Sequence, residues 1–100
     1  MDFLLDYGLN NDDINEIVAR NDSAIIKNII LNKKNVMGII EYLRDVGMNI
    51  SVIKEMFVYQ IGIFFRTKAE IKDVFDEYEM DSIIKSLNYD VNTIDLIEFN

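Results

Sequence analysis

Hydrophobic residues recur along the chain at the three- and four-residue spacing of amphipathic helices. The clearest example is the segment from Lys33 to Val46, in which charged residues occupy the opposite face. Asn32 stands before it as a helix N-cap, and Gly47 follows it as a helix stop. We therefore predict a helix there, with this apolar face: Val36, Ile39, Ile40, Leu43 and Val46.

The same spacing predicts three further helices. Two run from Asn11 to Arg20 and from Ile50 to Tyr59, and the third begins after Thr67. Thr67 and Glu70 have the separation of a capping box, in which each side chain bonds to the other residue's backbone amide. The apolar stripes that we expect to be buried include Val18 in the first helix, and Ile71, Val74, Phe75 and Tyr78 in the third.

The remaining segments carry weaker signals. Residues 23–31 and 62–66 are apolar connectors, which we predict to be short helices or buried turns. Near the end, we predict short helices over Asp81–Leu87 and Asn92–Glu98, with Asn88 as a left-handed turn residue. Facing apolar stripes should then form the core. The predicted core residues are Ile14, Ile17, Ile39, Ile40, Leu43, Ile53, Phe57, Ile71, Val74, Phe75, Ile83 and Ile84.

The chain also repeats itself. The segments Asp6–Asn10 and Asp45–Asn49 share the order aspartate, any residue, glycine, apolar residue, asparagine, and their glycines are 39 residues apart. This separation is typical of helical-repeat arrays. We predict that Gly8 and Gly47 each end a helix with positive φ. The predicted fold is all-α: about two and a half helix-turn-helix units stacked in a single domain that spans residues 1–100.

This pattern resembles the mTERF-type helical repeat over roughly residues 4–80. The segments Leu4–Gly8 and Leu43–Gly47 match its leucine, three residues and glycine, while Ala24–Ile26 and Ile63–Phe65 stand where that repeat carries paired apolar residues. The proline that usually precedes those pairs is missing from both copies. The resemblance implies a curved stack of helices that binds nucleic acid.

Composition excludes most familiar catalytic sites. The chain has no histidine and no cysteine, so it lacks the commonest general base and metal ligand and has no thiolate nucleophile. We therefore expect no enzymatic activity, cofactor or metal. The N-terminus lacks the basic start and apolar core of a signal peptide, and the longest apolar stretch, Ile61–Phe65, is far shorter than the ~20 residues that span a bilayer. We expect a cytoplasmic protein without a membrane partner.

Charge is unevenly distributed. Residues 1–19 hold five acids and no base, residues 20–72 nine bases and five acids, and residues 73–100 eight acids and one base. A formal net charge of −8 disfavours binding to a nucleic-acid backbone. The basic middle third nevertheless leaves a nucleic-acid-binding module open as an alternative. The candidate basic face comprises Lys33, Lys34, Arg44, Arg66 and Lys68.

The acids are densest between residues 73 and 81. If the helix that begins after Thr67 extends towards Glu79, they crowd its negative end, where each costs roughly 0.3–1 kcal/mol. One interpretation is a docking surface for a basic partner. The alternatives are that Asp81 caps the next helix while the others confer solubility, or that the chain is an acidic inhibitor that mimics phosphates. The cluster comprises Asp73, Asp76, Glu77, Glu79 and Asp81.

The aromatic centre of the chain offers a second candidate surface. Phe57, Val58 and Tyr59 are consecutive, so a helix cannot point all three inward, and one of them could belong to an apolar contact surface. The ends of a short repeat stack are also uncapped, which favours self-association. Our hypothesis from the sequence is thus a non-enzymatic module that binds a protein, either a basic partner or a second copy of itself.

Overall fold

The computed structural model describes residues 1–97 and residue 99, and all the regular secondary structure in this part of the chain is helical. The all-α prediction is therefore confirmed. The α-helices are α1 (Asn11–Arg20), α2 (Ser23–Leu31), α3 (Lys33–Asp45), α4 (Ile50–Tyr59), α5 (Lys68–Phe75) and α6 (Met80–Tyr89). The 3₁₀ helices are the first (Asp2–Tyr7), the second (Ile61–Phe65) and the third (Val91–Leu96).

Helix bounds lie close to those predicted, although the predicted caps form only in part: Asn32 makes no side-chain capping hydrogen bond, and of the Thr67–Glu70 box only the Glu70 amide bond to the Thr67 hydroxyl is formed. Both α1 and α4 begin and end where predicted, and α3 ends one residue before its predicted end. The two apolar connectors form α2 and the second 3₁₀ helix. The predicted helix from Asn92 to Glu98 is instead a 3₁₀ helix that ends at Leu96, and Glu98 lies outside the described residues.

Both glycine corners have the predicted conformation. The φ angles of Gly8 and Gly47 are 98° and 104°. In each corner the glycine amide donates to the carbonyl three residues back, and the next amide donates to the carbonyl five residues back. This is a Schellman motif, which satisfies the last carbonyls of a helix.

The two copies of the predicted repeat have similar structures only near these corners. At an offset of 39 residues α1 coincides with α4, whereas the residues that correspond to α2 fall on the second 3₁₀ helix and the start of α5. A corner and its following helix therefore recur, and a stacked array of whole repeats remains a prediction.

The left-handed turn predicted at Asn88 is wrong. Asn88 lies in the last turn of α6, and no described residue other than glycine has positive φ. Its side chain instead donates to the Gly47 carbonyl at 3.2 Å and accepts from the Asn49 amide at 3.0 Å. Tertiary hydrogen bonds to the second glycine corner thus hold the end of α6.

The core is one cluster to which every helix contributes buried residues. All twelve predicted core residues are buried except Val74, which is half-buried. At its centre the rings of Phe57 and Phe64 stack with centroids 3.9 Å apart. Val18 and Tyr78 were wrongly expected to be buried: α1 packs through Ile14 and Ile17 instead, and Tyr78 lies beyond the end of α5.

Candidate functional site

The five clustered carboxylates flank a turn between two helices. Because α5 ends at Phe75 and α6 begins at Met80, the expectation that they crowd the end of one long helix is wrong. Asp73 lies in the last turn of α5, Asp76 and Glu77 in the turn, and the other two at the start of α6. All five residues are exposed. The dipole of α5 therefore opposes Asp73, Asp76 and Glu77, whereas the dipole of α6 favours Glu79 and Asp81.

Glu79 has the helix-capping role that one interpretation of the sequence assigned to Asp81. Its carboxylate accepts from the Ser82 amide at 2.8 Å and the Asp81 amide at 3.3 Å, so Glu79 caps α6. Hydrogen bonding from Ser82, by side chain and backbone, holds the pKa of the Glu79 carboxyl below its ordinary value. Glu79 consequently stays ionised at neutral pH while it serves the helix.

The other acids of the cluster differ in whether a basic residue of the chain pairs with them. Asp76 is paired with Lys72 at 2.7 Å, and this hydrogen bond raises the pKa of the Lys72 ammonium. Among the described residues, Asp73 and Glu77 form no ion pair and their side chains make no hydrogen bond. The same holds for the Asp81 side chain, so these three carboxylates are accessible to a cation from outside.

Next to this turn, an apolar groove runs along the surface between α6 and the third 3₁₀ helix. It encloses about 240 Å³, and an adjoining hollow of about 540 Å³ shares Ser86, Thr93 and Leu96 with it. We call these two together the C-terminal groove. Its lining residues are Tyr78, Glu79, Ser82, Ile83, Lys85, Ser86, Tyr89, Asp90, Thr93, Leu96 and Ile97.

The C-terminal groove combines exposed apolar side chains with a carboxylate residue at each end. Tyr89 is 93% exposed and Leu96 80% exposed, although both are large. Glu79 lies at one end and Asp90 at the other, and Lys85 is the one basic residue of the lining. The sequence pattern did not reveal this site, because Tyr89 lies beyond the predicted end of α6 and the apolar stripe of that helix is buried.

The basic residues of the middle third fall into two places. Lys33 and Lys34 begin α3, whereas Arg44 lies in its last turn, about 16 Å further along the axis. The Asn35 side chain donates to the Arg66 carbonyl at 2.7 Å, which places the Arg66–Lys68 segment beside the start of α3. The backbone of this segment therefore lies near Lys33 and Lys34, but the Arg66 guanidinium lies over the Phe99 ring at 4.4 Å and 3.9 Å from a Glu70 carboxylate oxygen. The structure does not join the five predicted residues into one basic face.

An exposed corner lies beside the two lysines at the junction of α2 and α3. A hollow of about 450 Å³ is lined there by Ile30, Leu31, Asn32, Lys33, Lys34 and Asn35. Leu31 is 75% exposed and Ile30 45%. We call Ile30, Leu31, Lys33 and Lys34 the basic corner. The apolar part of this corner was not predicted, because residues 23–31 have the pattern of an apolar connector and Ile30 and Leu31 were in no candidate surface.

The other candidate surface predicted from the sequence is the aromatic centre of the chain. Phe57 and Val58 are buried and Tyr59 is 57% exposed, so these three do not all point inward, as predicted. Within residues 1–97 and 99, no group of three or more acids is placed to hold a metal ion. In the same part of the chain, no helix has both the length and the apolar character needed to cross a bilayer.

Comparison of the chain with models of known protein families, with curated proteins and with solved structures finds no match. The resemblance to the mTERF-type repeat therefore stays a prediction. The function has to be argued from the C-terminal groove, its carboxylates and the basic corner.

Proposed function

We propose that this chain is a non-enzymatic protein-binding module whose C-terminal groove binds a basic, partly apolar surface. One observation carries the proposal: Tyr89 and Leu96 are almost fully exposed beside a groove with carboxylates at both ends. Contiguous exposed apolar side chains with a polar rim are typical of interaction sites. An exposed tyrosine is also among the residues that contribute most to binding free energy.

Charge determines which partner this groove favours. Residues 73–100 contain eight acids and one base, and Asp73 and Glu77 have no ion-pair partner in the described part of the chain. Carboxylates around an apolar groove attract lysine- and arginine-rich surfaces and repel acidic ones. The same charges oppose contact with a phosphate backbone. A protein surface with apolar residues between lysines or arginines is therefore the expected ligand class.

Peptide titration of the isotope-labelled protein tests this proposal. We compare two designed helical peptides that have the same apolar face. One carries flanking lysines, and the other carries glutamates at the same positions. We expect the lysine peptide to shift the backbone amide signals of Ser86, Thr93 and Leu96, and the glutamate peptide to leave them in place. Equal shifts with both peptides, or shifts only outside the groove, would refute the proposal.

Charge-neutralised variants add a matched control. Asp73→Asn with Glu77→Gln should weaken binding of the lysine peptide and keep or slightly raise the melting temperature, since neither side chain has a partner to lose and the dipole of α5 opposes both charges. Asp6→Asn with Glu55→Gln removes the same charge elsewhere and should leave binding nearly unchanged. Tight binding of a short DNA duplex at Lys33, Lys34 and Arg66 would instead favour the nucleic-acid alternative.

A further inference from the structure

The chain itself carries a surface with the chemistry that the C-terminal groove requires. In the basic corner Leu31 projects into solvent at the end of α2, next to Lys33 and Lys34. Lys27 lies four residues before Leu31 in α2, so both occupy one face of that helix. Within the described residues none of these three lysines forms an ion pair. The corner is thus an apolar side chain between available cations.

The most exposed apolar side chains of the described residues fall on these two surfaces alone. Tyr89, Leu96 and Leu31 are 93%, 80% and 75% exposed, and every other large apolar side chain in that part of the chain is less exposed. Two of the three belong to the groove with acidic ends and the third to the basic corner. Their charges are opposite in sign: the basic corner carries lysines, whereas the groove has a carboxylate at each end and one lysine, Lys85, in its lining.

We infer that this chain associates with itself head to tail, with the basic corner of one copy in the C-terminal groove of the next. This inference rests on the proposed function of the groove. The two surfaces consist of different residues, so the interface is heterologous and produces either a ring or an open filament. Each chain has a formal net charge of −8, but screening over about 8 Å at physiological salt leaves close pairs as the dominant electrostatic contacts.

Sedimentation velocity on the whole chain tests the inference, with Leu31→Asp and Leu96→Asp as complementary variants. The wild-type protein should show an average mass that rises with concentration, while each variant alone should remain monomeric. An equimolar mixture should form a one-to-one dimer and nothing larger, because each variant retains one intact surface. A monomeric wild type, a variant that still assembles, or a mixture without dimer would each overturn the inference.

A second variant separates loss of the contact from loss of the fold. Lys33→Glu with Lys34→Glu places acids at the start of α3, where the helix dipole favours them, so the fold should be kept or stabilised. Self-association should nevertheless fall at least tenfold, and unchanged association would contradict the inference. If the wild type is monomeric and the lysine peptide still shifts the groove signals, the inference fails and the proposed function stands.

Discussion

The large apolar side chains of α3 are all buried or half-buried, whereas α6 and the third 3₁₀ helix leave Tyr89 and Leu96 almost fully exposed. In α3, removal of Leu43, Ile39 and Ile40 from water stabilises the fold. We call α6 and the third 3₁₀ helix the C-terminal layer. This layer also contributes buried residues, but the exposed Tyr89 and Leu96 add nothing comparable to the core. The difference separates residues needed for folding from residues available for binding, and each prediction below tests that division.

Leu43→Ala should have the largest effect on stability. Leu43 is fully buried, so truncation removes its apolar contacts and leaves a cavity, at a cost of about 2–5 kcal/mol. Leu96→Ala is the control and should change the free energy of unfolding by less than about 0.5 kcal/mol. Urea unfolding measures both. If the two variants lose equal stability, the distinction between residues needed for folding and residues available for binding is wrong.

Gly47→Ala should destabilise the junction between the two regions. An alanine at φ 104° is strained by roughly 1–2 kcal/mol, and the added Cβ would lie 3.7 Å from Ile84 of α6, an ordinary contact. Gly38→Ala is the matched control, because Gly38 lies inside α3 with open space beside it and should gain about 0.5–1 kcal/mol. Thermal unfolding should shift the two midpoints in opposite directions, and shifts of the same sign would contradict this account.

Asn88→Ala should show how firmly α6 is held to the centre. The variant loses the hydrogen bonds to Gly47 and Asn49, each typically worth about 0.5–1.5 kcal/mol. Asn15→Ala is the control for helix propensity, because Asn15 is an exposed residue within α1 with no side-chain hydrogen bond among the described residues. Exchange of the Asn49 amide with solvent should become faster only in the first variant. Unchanged exchange would mean that apolar contacts alone hold α6.

The smallest expected effect is the pH dependence of the cap at α6. The folded pKa of Glu79 is lowered, so its contribution to stability is present above the unfolded value of about 4.5 and is lost as the pH falls through the folded pKa. The stability difference between the wild type and Glu79→Gln should therefore be constant above about pH 6 and shrink below pH 4.5. A difference that persists at lower pH would contradict the capping role.

The sequence predicted those parts of the fold that depend on neighbouring residues. The bounds of α1 and α4 follow from apolar spacing, and the conformations of Gly8 and Gly47 follow from the residues next to each helix end. The end of α5 was missed because no glycine marks it. Asn88 was missed because its side chain bonds to a corner distant in sequence, which local pattern does not reveal.

The candidate site was predicted only in part. The carboxylates between residues 73 and 81 are exposed as expected, but the capping role of Glu79 depends on where α6 begins. The C-terminal groove could not be predicted, because its exposed side chains depend on how the third 3₁₀ helix packs against α6. The same holds for Leu31, whose exposure follows from the packing of α2 on α3.

The most direct test measures stability and binding together in Leu96→Asp. Since Leu96 is 80% exposed, the variant should keep the melting temperature of the wild type. Its affinity for the lysine-flanked peptide, measured by calorimetric titration, should fall at least tenfold because a charge replaces an apolar contact in the groove. A lower melting temperature with unchanged affinity would contradict the account, since Leu96 would then serve the fold and not the binding site.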